Sequence, residues 1–109
     1  MADHARADHA IVLTTIDSEA GAERIIAAVL DAKLAACVQQ SAIISHYVWQ
    51  GERRRETEIA LQMKIKRADW DDVAAAIRAA HGYDTPEIML VELGAVDARY
   101  GAWINAVTR

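Results

Sequence analysis

One cysteine, one proline and no apolar run approaching a membrane-spanning length mark this sequence by what it lacks. The lone Cys37 excludes an intrachain disulfide. A membrane helix needs ~20 consecutive apolar residues, and none of the runs comes near that. The opening Met1-Ala2-Asp3-His4 has neither the apolar stretch nor the basic flank of a signal peptide, so the expectation is a cytoplasmic protein with no membrane partner. Positive charge is in deficit as well. Twelve Lys and Arg against 16 Asp and Glu leave a formal charge of -4, which removes the broad basic footprint that nucleic acid requires. The basic run Arg53-Arg54-Arg55 is flanked by Glu52, Glu56 and Glu58 and reads as a solvated hairpin tip.

Chemical motifs are missing too. No C-x-x-C, H-x-x-x-H or H-E-x-x-H spacing is present, so a closed zinc site within one chain is not expected. Nor is there a nucleophile elbow or a carboxylate pair of arguable separation, and the expectation is a protein that is not an enzyme.

What is there fits one domain. The chain has 109 residues, 53% of them apolar, with alanine prominent. Residues 1–8 are polar and aperiodic and read as a disordered lead-in, and 9–109 as a single domain. Ala10 to Thr15 is a short β-branched run expected as a strand. Asp17 and Ser18 offer capping oxygens ahead of Ala22, Ile25, Ile26, Val29 and Leu30 at helical spacing, predicting a helix over roughly 18–34.

Cys37 to Trp49 holds neither Gly nor Pro and is rich in strand formers. After a turn at Gln50-Gly51-Glu52, Ile59, Leu61, Met63 and Ile65 alternate with polar or small residues, giving a long hairpin. Asp69 is expected to cap a second helix with Trp70, Val73, Ala74 and Ile77 on its apolar face. That helix should end at His81-Gly82, with Gly82 at a position tolerating positive φ. Glu87 to Leu93 reads as a fourth strand. Asp97 then caps a short helix with Tyr100, Trp103, Ile104 and Val107 at i, i+3, i+4 and i+7.

The order βαββαβ plus a terminal helix predicts an α+β fold: a ferredoxin-like antiparallel sheet with helices on one face. The second strand is roughly twice the usual ~5–6 residues. An open sheet face and an overhanging hairpin both call for a partner, and self-association follows.

Ala35-Ala36-Cys37-Val38, Ser45 to Gly51, Glu58 to Lys64, His81 to Ile88, and Tyr100 with Trp103 occur in an order and spacing that resemble the CutA family of divalent-cation-tolerance proteins. Together with the opening Ile-Val-Leu-Thr-Thr, the resemblance covers roughly residues 9 to 105. It departs from the family pattern at Gln39, Gly82 and Ile65. The resemblance implies a cytosolic homotrimer linked to copper or another divalent cation, none being needed for folding.

It also makes Cys37 a metal-linked cysteine, and His81 a second candidate ligand. Against this, a lone strand cysteine is commonly a small buried hydrophobe, and a histidine at a helix C-terminus is commonly structural. Tyr47, Trp49, Glu58, Lys64, Tyr83, Glu87 and Trp103 are either interface packing or the lining of an intersubunit pocket.

Two rival functions share the topology. One is a trimeric small-molecule sensor resembling the PII signalling proteins, although here only about five residues separate the second and third strands. The other is an acylphosphatase-type enzyme, which needs a glycine-rich phosphate loop with an arginine after the first strand. Thr14-Thr15-Ile16-Asp17-Ser18 stands in that place.

Overall fold

A computed structural model describes residues 7–109, and the expectation for residues 1–6 lies outside the described residues. Asp8, assigned to the lead-in by its sequence, is held in place, because its carbonyl accepts a hydrogen bond from the Arg67 N–H at 2.9 Å. The elements are β1 (His9–Ile16), α1 (Glu19–Asp31), β2 (Ala35–Trp49), β3 (Glu52–Lys66), α2 (Trp70–Ala80), β4 (Ile88–Glu92) and α3 (Ala98–Val107). The strands form one antiparallel sheet in the order β2-β3-β1-β4. This is the expected α+β, ferredoxin-like arrangement.

Period-two alternation sorts the sheet into two faces. Ala10, Val12 and Ile16 of β1, with Leu61, Met63 and Ile65 of β3, point to one side and are buried. Ile25 and Val29 of α1 and Val73 and Ile77 of α2 close over them as one cluster. The opposite face carries Ile11, Leu13, Met89 and Val91. α3 covers only the end of this face near His9, whose Nε2 lies 2.9 Å from Asn105 Oδ1. Of the apolar stripe expected on α3 only Ile104 is buried, while Tyr100, Trp103 and Val107 stay exposed.

The helix ends differ from the sequence reading in instructive ways. Ser18 caps α1 as expected, accepting from the Gly21 N–H at 3.0 Å. The helix then stops at Asp31, short of residue 34. Lys33 adopts a left-handed φ of 56°, its N–H bonds the Leu30 carbonyl, and the Leu34 N–H bonds the Val29 carbonyl. That is a Schellman closure built without glycine, which left no mark in the sequence.

Two further expectations are corrected. Asp69 makes no side-chain capping bond; it ends a 3-10 turn, Arg67–Asp69, and its carboxylate lies 3.6 Å from Arg109. Gly82 is not in the positive-φ region, and α2 ends instead on an extended His81 (φ −80°, ψ 142°).

The β2–β3 hairpin is longer and tighter than expected. Each strand has 15 residues, and only Gln50 and Gly51 lie between them. Both have positive φ, 52° and 77°, the signature of the type I′ turn that matches strand twist. β1 stops pairing at Ile16↔Ile59, so the pairs from Ile43↔Glu58 to Trp49↔Glu52 project beyond the sheet.

At the other end of β2 the register shifts between Ala35 and Cys37, leaving Ala36 as the extra residue of a bulge. The bulge decides where Cys37 points. Regular pairing would set Cys37 against Met63 on the buried face, whereas the bulge sets it against Lys64 on the opposite one.

Candidate functional site

A cavity of about 610 Å³ lies where the hairpin leaves the sheet. Thr15 from the end of β1, Ser45, His46, Tyr47 and Trp49 from β2, Glu58 from β3, and Tyr83, Asp84, Thr85 and Glu87 from the α2–β4 connector line it. Strand alternation explains the convergence. Ser45, Tyr47 and Trp49 share a face with Glu58 and Thr15, and the connector runs back past that face before β4 begins.

His81 anchors the connector. Its Nε2 lies 2.7 Å from the Thr15 carbonyl and its Nδ1 accepts from the Tyr83 N–H at 3.1 Å. These partners define the Nε2–H tautomer and occupy both ring nitrogens. The Tyr83 ring is tilted against the His81 ring at a centroid distance of 4.8 Å, and its hydroxyl donates to Glu58 Oε2 at 2.7 Å.

Burial, and then the hydrogen bond to Glu58 and the nearby negative charge, push the Tyr83 hydroxyl well above the usual tyrosine range. Because the folded value is raised, Tyr83 contributes its full stabilisation below about pH 10, the ordinary tyrosine value, and loses it as the pH climbs further. Ultraviolet titration of the phenolates should therefore show a late-ionising component that Tyr83→Phe abolishes. A late component that persists in the variant would assign it to another tyrosine.

Of the residues singled out from sequence, Tyr47, Trp49, Glu58, Tyr83 and Glu87 meet at this cavity, and His81 braces it from behind. Lys64 does not reach it. That side chain lies along the sheet, opposite Cys37, and donates to Gln39 Oε1. Trp103 is also elsewhere, on α3, with its ring 5.5 Å from that of Tyr100.

Cys37 and His81 do not converge. Cys37 sits opposite Lys64, and Thr15, the partner of His81, sits opposite Ala60. They are about 13 Å apart along β3 at ~3.3 Å per residue, and two strand spacings of ~4.8 Å apart across the sheet. Among the described residues no group of three His, Cys, Asp or Glu side chains is placed to hold a metal ion. Thr15, Ser45, His46, Asp84 and Thr85 were missed by sequence reasoning. All five nonetheless lie in segments that carry the resemblance, the opening Ile-Val-Leu-Thr-Thr, Ser45 to Gly51 and His81 to Ile88.

A second cavity, of about 600 Å³, lies between His9 and the β4–α3 loop, lined largely by small residues. No helix among the described residues is long and apolar enough to cross a membrane.

The sheet order, the two helices on one face and the overhanging hairpin define a ferredoxin-like α+β protein with a cavity at the root of its hairpin. A family model described as CutA1 divalent ion tolerance protein matches residues 10–107, and the chain belongs to that family.

The divalent-cation tolerance protein CutA of Yersinia pestis is 35% identical over 97 residues, 88% of this chain and 82% of the relative. Among solved structures, CutA1 of the psychrotrophic bacterium Shewanella sp. SIB1 superposes with a TM-score of 0.90 at 28% identity, over 95% of this chain and 98% of that one. The protein described as the periplasmic divalent cation tolerance protein CutA of Archaeoglobus fulgidus gives 0.88 at 31% identity, over 91% and 97%.

Proposed function

We propose that this chain is a cytoplasmic, trimeric, non-enzymatic protein of divalent-cation tolerance that binds copper or another divalent cation as cargo. The observation that carries the reading is the match of residues 10–107 to the divalent ion tolerance family, and the donor set limits how a cation could be held. One copy offers Cys37 and His81 at separate places and no cluster of three donors among the described residues. A tetrahedral shell therefore has to recruit water or further copies.

The chain's uncovered surface is suited to recruiting copies. Val91, Met89, Ile44 and Val48 are all 46% exposed or more, well above what a buried core residue shows. Cys37, half-buried on the sheet face opposite α1 and α2, is the principal donor, because its thiolate suits soft or borderline ions. His81 ligates only by giving up the Tyr83 N–H or the Thr15 carbonyl.

Calorimetric titration of Cu(II) or Zn(II) into wild type, Cys37→Ala and His81→Ala tests this, with the mass of each sample measured. Cys37→Ala should weaken binding by roughly tenfold or more, the scale on which even outer partners of ligands act. Wild-type affinity should fall between pH 7.5 and pH 5.5, since the donors must be deprotonated. Identical binding by all three proteins would mean surface sites only, and would remove the metal role.

The cavity favours a second reading, a trimeric sensor of a small molecule in the manner of the PII-like proteins. Its volume lies within the ~300–1,000 Å³ of small-ligand sites, and a few polar groups converge in it beside aromatic rings.

A further inference from the structure

The lining of the hairpin-root cavity is chemically one-sided. Three rings, Tyr47, Trp49 and Tyr83, share it with three carboxylates, Glu58, Asp84 and Glu87, and among the described residues the only basic side chain in it is His46. Arg54, across from Tyr47, is not part of the lining; its guanidinium lies 3.6 Å from Glu52, towards the hairpin tip.

Glu58 is held by Tyr83 through one oxygen, which leaves the other free to accept. Thr15 adds a polar group that is only 9% exposed and lines the cavity. Its carbonyl is taken by His81.

Aromatic faces attract cations through the ring quadrupole, and carboxylates favour donors with N–H groups. Glu58, Asp84 and Glu87 together would repel an anion, and a neutral ligand would leave them without counter-charge. A bare divalent ion would use the carboxylates but none of the rings.

We propose that this cavity binds a small organic cation with N–H donors, an alkylguanidinium or alkylammonium compound. The Trp49, Tyr47 and Tyr83 rings flank it, and Glu58, Asp84 and Glu87 accept its charge. The assignment rests on the small-molecule reading of the cavity and names the ligand class. A planar guanidinium suits it best, because it stacks on rings and bonds a carboxylate through two parallel N–H groups.

The test is calorimetry on the full chain with three probes of one size: n-butylguanidinium, the neutral n-butylurea and the anion n-butyrate. Butylguanidinium should bind, and butylurea should bind about tenfold or more weakly by comparison, the difference expected for a charge-assisted bond. Glu87→Gln and Glu58→Gln should each weaken butylguanidinium by roughly threefold or more, and butylurea by a smaller factor, because the neutral probe loses no charge pairing.

Binding of butylurea or butyrate in preference to butylguanidinium would overturn the cation assignment and leave a ligand pocket standing. Binding of none of the three would overturn both. Binding that appears only after Arg53→Gln or Arg55→Gln would also overturn it, since the occupant would then be an arginine of a second copy.

Discussion

Asp in place of Val91 is expected to turn a three-chain species into single chains without unfolding them. Val91 is 47% exposed in one copy and lies on the sheet face that α1 and α2 leave bare, pairing with Ile11. In a lone chain the added carboxylate meets water and costs little.

If that face is covered by other copies, as proposed, the same carboxylate is buried without a partner. The penalty is then about 3–5 kcal/mol, or more than a hundredfold in the association constant. Sedimentation equilibrium reads the mass, and circular dichroism confirms that the sheet survives. A variant that keeps the three-chain mass on dilution would show that this face is not the contact, and a wild-type mass of one chain would end the trimer proposal directly.

The other large effect belongs to the core. Leu61 is fully buried in β3, between Thr14 of β1 and Gln40 of β2, and belongs to the cluster that joins the sheet to both helices. Leu61→Ala removes that packing at the point where two strand pairs meet and should cost about 2–5 kcal/mol. Urea unfolding at one fixed protein concentration gives the value, because any assembly makes apparent stability depend on concentration. A loss below about 1 kcal/mol would mean that the neighbouring side chains collapse into the space.

Where local chemistry settles an element, the sequence could be read. Ser18 and Asp97 each cap a helix, Asp97 through Arg99 and Tyr100 N–H groups at 3.1 Å. The alternation from Ile59 to Ile65 marks the buried face of β3 correctly. Where residue type and conformation part company, reading failed. Lys33 takes a left-handed conformation with no glycine to announce it. Gly82 has the residue type for such a conformation and does not use it, because the His81 ring pins the helix exit from outside.

The same division runs through the candidate site. Tyr47 and Trp49 could be paired from their spacing on one strand. Thr15 could not be joined to them, since only the assembled sheet brings the end of β1 beneath the hairpin. Lys64 and Trp103, expected with them at a subunit interface or intersubunit pocket, lie away from the cavity of a single copy.

The bulge at Ala36 has a meaning for chain length. Along β2, removing a residue anywhere from 38 to 48 would swap the two faces for every residue on one side of the cut, since alternation has period two. Removing Ala36 would not. Ala35 would still face Ile65, Cys37 would still face Lys64, and every later pair would stay as it is. Position 36 is thus a slack link, a place in a 15-residue strand where a codon can be lost while the remaining side chains keep their side of the sheet.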